Sequence, residues 1–399
     1  MIIHLSGDTL RSICLLCFSA VLLCASFDGA LSDTTPPSDA AFTRSVVDPG
    51  DTGRLGRVFA RANAGQPIVV LFVGGSITEG AKATIPANRY VNRVGEWWKA
   101  RFPKSQVTVV NAGIGATGSD YGCFRFQRDI AGKNPDVVFV DFAVNDSQSA
   151  TSQATYEGII RQLLSLPKQP AVVSLFMMHQ SGSNNQKAES EIGKYYGLPM
   201  LSYRDAIWPE IQSGIAKYED YQADQVHPND NGHAYVAALV AHYLDSVTAS
   251  ANASSIITPL PAPLHSDLYQ YASLYEARSI QPAKSDGWTL SSENGGFWTT
   301  SQPGSVFECV VEGQSVSVVT WRIKGAMGRA SARVDDQPAK IIDGWFDQTW
   351  GGYRPITLLA DGLAPGKHTV HVELLDQKDE GSTGYEFRIL AIGTAGVAH

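Results

Sequence analysis

The sequence predicts an α/β protein: a doubly wound domain built on a parallel sheet, followed by an antiparallel β-sandwich. Three observations carry this. Short apolar β-rich runs alternate with helical patterns up to about residue 248, a Ser/Ala/Pro-rich segment interrupts the chain at 249–268, and only turn-punctuated β patterns remain beyond it. With 399 residues and 44% of them hydrophobic, the chain is long enough to bury two cores.

The first segment has Arg11 ahead of an apolar run at 13–25, too short to span a bilayer comfortably, with the small residues Ala25, Ser26 and Ala30 behind it. It predicts a signal peptide over 1–30, and therefore a secreted or periplasmic protein with no stable membrane insertion after signal removal. Leu23 rather than a small residue precedes Cys24, which argues against a lipid anchor. Cys14, Cys17 and Cys24 lie in this segment, leaving Cys123 and Cys309 in different domains and expected as separate thiols. A polar linker at 31–45 follows.

Over 46–248, buried strands are expected at 68–73, 106–110, 136–142 and 171–177, with a shorter one at 199–202. Helical spacing fills the intervals at 89–102, 119–130, 155–166, 185–196 and 232–247. After the linker at 249–268, the region 269–399 carries strand patterns at 305–311, 314–323, 330–334 and 368–374. No fixed-period repeat supports a solenoid or propeller. Lys and Arg number 31 against 39 Asp and Glu, for a net charge of −8 without a long basic run, so nucleic acid is excluded as an expected partner.

Chemistry concentrates at the ends of these strands. The first ends in Gly74-Gly75-Ser76-Ile77-Thr78, where small residues permit a sharp turn that lifts a serine hydroxyl above the carboxyl edge of the sheet. Gly-Gly-Ser is also an ordinary turn, and a glycine-rich loop after a first strand can cradle phosphate. The G-x-G-x-x-G pattern and a P-loop lysine are both missing, which weakens the phosphate reading. Downstream, Asp224 stands three residues before His227, a spacing that lets a carboxylate orient an imidazole whose other nitrogen takes a serine proton. The alternative is an acidic helix cap, a role that Asp230 fits better than Asp224. Residues 111–118 follow the second strand and Ala143-Val144-Asn145-Asp146 the third, offering backbone amides and the Asn145 amide to an anionic oxygen. Asp224, His227 and His233 have no recognised zinc spacing, so no metal is expected, and no cofactor either. His179, on the same edge, is expected to be satisfied locally.

These four blocks, in this order, resemble the SGNH/GDSL hydrolase family over roughly residues 46–248. The resemblance implies a flavodoxin-like three-layer domain and a serine esterase. Ser76 would be the nucleophile, His227 the general base and Asp224 its orienting acid, with an oxyanion hole drawn from Ser76, Gly115, Ala116 and Asn145. Gly75 stands where the family commonly has Asp, Ala116 where the oxyanion glycine is usual, and Ala143 where the third block has Gly. The resemblance is closest to the acetylesterase branch, which implies acetylated oligo- or polysaccharide as the substrate. A lipase or thioesterase acting on longer chains, or a carbohydrate-binding protein without activity, are the alternatives.

The C-terminal domain, expected to be jelly-roll-like, contains Trp288, Trp298, Trp321, Trp345 and Trp350. Trp321 sits in a strand pattern and is expected in the core. Trp345, Trp350 and Tyr353, in a glycine-rich stretch beside Phe346, are the candidates for carbohydrate binding, with core packing as the alternative.

Overall fold

The computed structural model describes residues 36–250 and 259–396. The signal segment, its three cysteines and residues 31–35 and 251–258 of the two linkers lie outside the described residues. Among the described residues, no helix is long and apolar enough to cross a membrane.

In chain order the first domain comprises α1 (Asp39–Ser45), β1 (Val46–Asp48), α2 (Gly53–Asn63), β2 (Ile68–Gly74), α3 (Ser76–Glu79), α4 (Tyr90–Arg101) and β3 (Val107–Gly113). It continues with α5 (Ser119–Phe124), α6 (Phe126–Asp129), β4 (Val137–Asp141), α7 (Ala150–Leu164), β5 (Ala171–Phe176), α8 (Gln186–Tyr195) and β6 (Met200–Ser202), and ends in α9 (Tyr203–Gln212), α10 (Tyr218–Tyr221) and α11 (Asp230–Ser250). The sheet order is β1-β6-β5-β4-β2-β3, with every pair parallel except β1 with β6. Without β1 this is the flavodoxin-like order, and the strand order reverses beside β2, where open α/β sheets place their ligands.

The strands read as continuous apolar runs because both faces are covered. Alternation then divides their side chains. Val70, Phe72 and Phe139 face one core with Leu55, Val94, Trp98 and Val240, while Leu71, Val73, Val138 and Val140 face the other with Phe124, Ile159 and Leu163. Phe72 and Phe139 stack across the first core with centroids 4.7 Å apart.

Three expectations are corrected here. Part of the predicted linker at 31–45 is helix α1, capped by Ser38 and held to α9 by Arg44, which donates to the carbonyls of Asp205 and Ala206. The predicted helix at 119–130 is broken into α5 and α6 at Arg125, whose fully buried guanidinium donates to the carbonyls of Ala112 and Gly74. The sheet is mixed, because β1 adds an antiparallel edge.

The second domain is a sandwich of two antiparallel sheets. Its strands are β7 (Ser273–Glu276), β8 (Pro282–Asp286), β9 (Thr289–Ser291), β10 (Phe297–Thr300), β11 (Val306–Glu312), β12 (Ser315–Thr320), β13 (Arg329–Val334), β14 (Lys340–Asp343), β15 (Ile356–Ala360), β16 (Lys367–Leu374) and β17 (Phe387–Ala395). One sheet runs β15-β12-β17-β10-β9 with β7 on β17, the other β14-β13-β16-β11-β8. Phe307, Val318, Val370 and Phe387 fill the core between them, together with the free thiol Cys309; Cys123 is free and buried in the first domain.

The described part of the linker is docked rather than loose. Glu157 on α7 accepts hydrogen bonds from the backbone amides of Leu264, His265 and Ser266, and Arg161 donates to the carbonyl of Pro261. Tyr269 is buried against Gly158, where an added Cβ would lie 2.5 Å from the tyrosine Cβ. Tyr121 and Ile114 of the first domain share an apolar cluster with Val319 and Ala391 of the second. The loop just after β3 is thereby buttressed by the sandwich.

Candidate active site

Strand β2 ends at Gly74, and the chain turns through Gly75 into the single-turn helix α3 that begins with Ser76. The turn is fastened from below. The Thr78 hydroxyl donates to Asp141 Oδ2 at 2.9 Å and lies 2.7 Å from the buried Tyr90 hydroxyl. Burial pushes the Asp141 carboxyl up to about 7 against that hydrogen bond, so a carboxyl that holds its proton more tightly than usual stands at the end of β4, directly behind the serine turn. Neither Asp141 nor Tyr90 is visible as a site residue in the sequence, because their roles depend on β4 and α4 meeting under one turn.

Half-buried Ser76 points its Oγ at His227 Nε2, 2.8 Å away. On the far side of the ring, His227 Nδ1 lies 2.9 Å from both Asp224 oxygens. A carboxylate accepts only, so Nδ1 carries the proton and Nε2 presents its lone pair to the serine. The same Asp224 Oδ1 accepts from the amides of Val226 and His227, which shapes the loop that carries the histidine. Burial pushes the Asp224 carboxyl upward, but those two amides and the imidazole outweigh it and hold it below its ordinary range. Lys82 brings an exposed ammonium within 3.7 Å of Asp224 Oδ2, a contact with no signal in the sequence.

The other two blocks converge on the same point. A Cβ placed on Gly115 would lie 3.9 Å from Ser76 Cβ. Among the described residues, the amides of Ser76, Gly115 and Ala116 have no acceptor. Ala116 sits at φ 54°, the left-handed region, which costs a non-glycine residue about 1–2 kcal/mol and explains why glycine is the usual occupant. Asn145 is exposed at the end of the β4 loop, and its side-chain oxygen occupies the space that a Cβ on Gly75 would need. Gly75 therefore lets the Asn145 amide approach the serine turn closely. No sequence pattern could reveal that contact.

The remaining sequence candidates are placed as follows. His179 Nε2 lies 3.0 Å from the carbonyl of Val144, and the neighbouring Gln180 amide donates to the carbonyl of Gln225, so this loop links the Asn145 and His227 loops. His233 is buried with Nε2 on the carbonyl of Ala81, and burial pushes its pKa down to about 4. The helix-cap expectation for Asp230 is corrected. Asn229 Oδ1 accepts from the amides of Asn231 and Gly232 at the start of α11, whereas Asp230 binds Thr84 and Asn88. Among the described residues, no cluster of three or more His, Cys, Asp or Glu could hold a metal ion.

In the sandwich, Trp350 is 59% exposed and meets Tyr353 and Phe346, with ring centroids 5.8 and 5.2 Å away. Trp345 is separate, its indole packed over Gly381. The core expectation for Trp321 is also corrected: the ring is partly exposed and lines a cleft between the two domains, with the Arg354 guanidinium carbon over it, 5.3 Å from the ring centroid.

Comparison with known proteins places these observations. The model of the GDSL-like Lipase/Acylhydrolase family matches residues 72–235, from β2 through the start of α11. The crystal structure of a two-domain esterase active on acetylated mannans is similar over 90% of this chain and 99% of that one, with a TM-score of 0.84 and 30% identity. A structure of such an esterase co-crystallised with mannopentaose has a TM-score of 0.82 and 29% identity, at the same coverages. No curated protein matches the chain. Matched along both domains, the chain belongs to the GDSL-like lipase/acylhydrolase family and is a carboxylic ester hydrolase.

Proposed function

We propose that this enzyme is an exported carbohydrate O-acetylesterase that works through Ser76, His227 and Asp224 and an acetyl-enzyme. The observation that carries the reading is the serine–histidine–aspartate chain at 2.8 and 2.9 Å. Nε2 of His227 takes the Ser76 proton as Oγ attacks the acetyl carbonyl carbon, and Asp224 stabilises the imidazolium. The oxyanion is received by the unpaired amides of Ser76, Gly115 and Ala116 and by the Asn145 side chain. The imidazolium then protonates the departing sugar hydroxyl. A water that gives its proton to His227 attacks the acetyl-enzyme, releasing acetate and restoring Ser76.

Acetylated mannan is the leading substrate, supported by the similarity to an esterase active on acetylated mannans. Export is supported by the signal pattern at 1–30. In the sandwich, the exposed Trp350 beside the partly exposed Tyr353 provides an aromatic surface on which a sugar ring can stack, whereas Trp345 packs apart from it over Gly381.

The test is acetate release from a panel of acetylated mannan, xylan and oligosaccharides, beside aryl esters of increasing chain length. Rapid acetate release from mannan and a preference for short aryl esters are expected. Efficient turnover restricted to long-chain esters would establish the lipase reading instead. For Asn145→Ala, kcat on an aryl acetate is expected to fall about 10²- to 10³-fold with little change in KM, since the amide acts on the developing oxyanion. Gly75→Ala should produce the same kind of loss by pushing the Asn145 amide aside. Unchanged kcat in Asn145→Ala would remove that residue from the oxyanion site.

A further inference from the structure

The cleft between the two domains has a volume of about 320 Å³ and is lined by Tyr121 and Arg128 of the first domain and by Glu276, Trp321, Arg354 and Arg388 of the second. It is separate from the nucleophile turn yet close to it in the chain: Tyr121 is the fifth residue after Ala116, within about 18 Å even if that segment were fully extended. Two of the arginines that line the cleft are paired with carboxylates. Arg128 Nη1 donates to Glu276 at 2.7 Å, bridging the domains, and Arg388 Nε donates to Glu386 at 2.5 Å. Arg354 is different. Its guanidinium lies over the Trp321 ring and has neither hydrogen bond nor carboxylate partner among the described residues, and the Trp321 indole N–H has no acceptor there either.

A guanidinium over an indole face with no carboxylate of its own leaves its N–H fork free, in the geometry that matches a carboxylate. The unpaired groups of this wall are therefore donors, with one uncompensated positive charge, while the Tyr121 ring and Ala391 supply apolar contact. The volume is at the lower end for small-molecule sites and holds one or two sugar rings. We propose that this cleft is a second binding site, for a sugar that carries a carboxylate, with the carboxylate on Arg354 and the ring against the apolar side. Its use in substrate selection rests on the esterase reading above: among acetylated glycans, one that also carries an acidic sugar would be preferred over a neutral mannan.

The test is calorimetric titration of the full chain with glucuronate and with glucose, in the wild type and in Arg354→Gln. Millimolar binding of glucuronate is expected, at least about tenfold tighter than glucose, weakening with added salt and lost about tenfold in Arg354→Gln. Hydrolysis of a small aryl acetate should be unchanged in Arg354→Gln. Equal binding of the two sugars, no glucuronate binding, or full glucuronate affinity in Arg354→Gln would overturn the proposal. Because the readout is binding, its failure is distinct from any failure of Ser76 as nucleophile.

Discussion

Ser76→Ala is expected to lower kcat for an aryl acetate by about 10⁴- to 10⁶-fold while leaving the fold intact, because it deletes the oxygen proposed to attack the acetyl carbonyl. Ser76 is only half-buried and its Oγ packs into no core, so the unfolding transition should be unchanged. His227→Ala should cost a similar amount, and the double variant no more than either single one, since a base without its nucleophile has nothing to deprotonate. Steady-state kinetics on the three variants, with circular dichroism as the control for folding, checks this. A double variant that multiplied the two single losses would mean that the residues act independently.

The second large effect is expected at Asp224. Asp224→Asn keeps the shape of the loop but can donate to His227 Nδ1, favouring the tautomer with its proton on Nε2, which then cannot accept from Ser76. A fall in kcat of about 10³- to 10⁴-fold follows, somewhat less than at Ser76. The wild-type pH profile carries the complementary sign. The Asp224 carboxyl is depressed below its ordinary value, so its charge is present above that value and is lost only as pH falls through the depressed one. Protonation of Asp224 therefore takes nothing from kcat/KM near neutrality and lowers it only below the ordinary carboxylate range. A carboxyl titration assigned to Asp224 near neutrality would contradict the geometry.

Why some of this was legible in the sequence and some was not follows from particular residues. Strands β2, β4 and β5 announce themselves because both faces of the sheet are covered, leaving unbroken apolar runs such as Val137 to Val140. Strand β1 has only three residues and lies at an edge, and α2 begins at a glycine and carries three arginines, so neither stands out locally. The break between α5 and α6 depends on buried Arg125 reaching the carbonyls of Gly74 and Ala112, a tertiary requirement with no local signature. In the second domain, β8 reads Pro-Ala-Lys-Ser-Asp and is a strand only because β11 pairs with it.

The site divides the same way. Ser76, Asn145, Asp224 and His227 could be found because each is a chemically distinctive residue at a strand end or before a long helix. Their supports could not. Thr78 on Asp141, Gly75 against Asn145 and Lys82 beside Asp224 are contacts between segments far apart in the chain or ordinary in composition. Alternation along a strand assigns Trp321 a face, whereas here the neighbouring domain turns part of that surface into a cleft.

The central claim, that Ser76 is acetylated during turnover, is tested most directly by acid-quenching the enzyme during rapid hydrolysis of an aryl acetate and mapping the modified peptide by mass spectrometry. An acetyl group is expected on Ser76 in the quenched enzyme, and none in Ser76→Ala. Acetylation of another residue at a catalytically competent rate, or turnover that persists in Ser76→Ala, would contradict it.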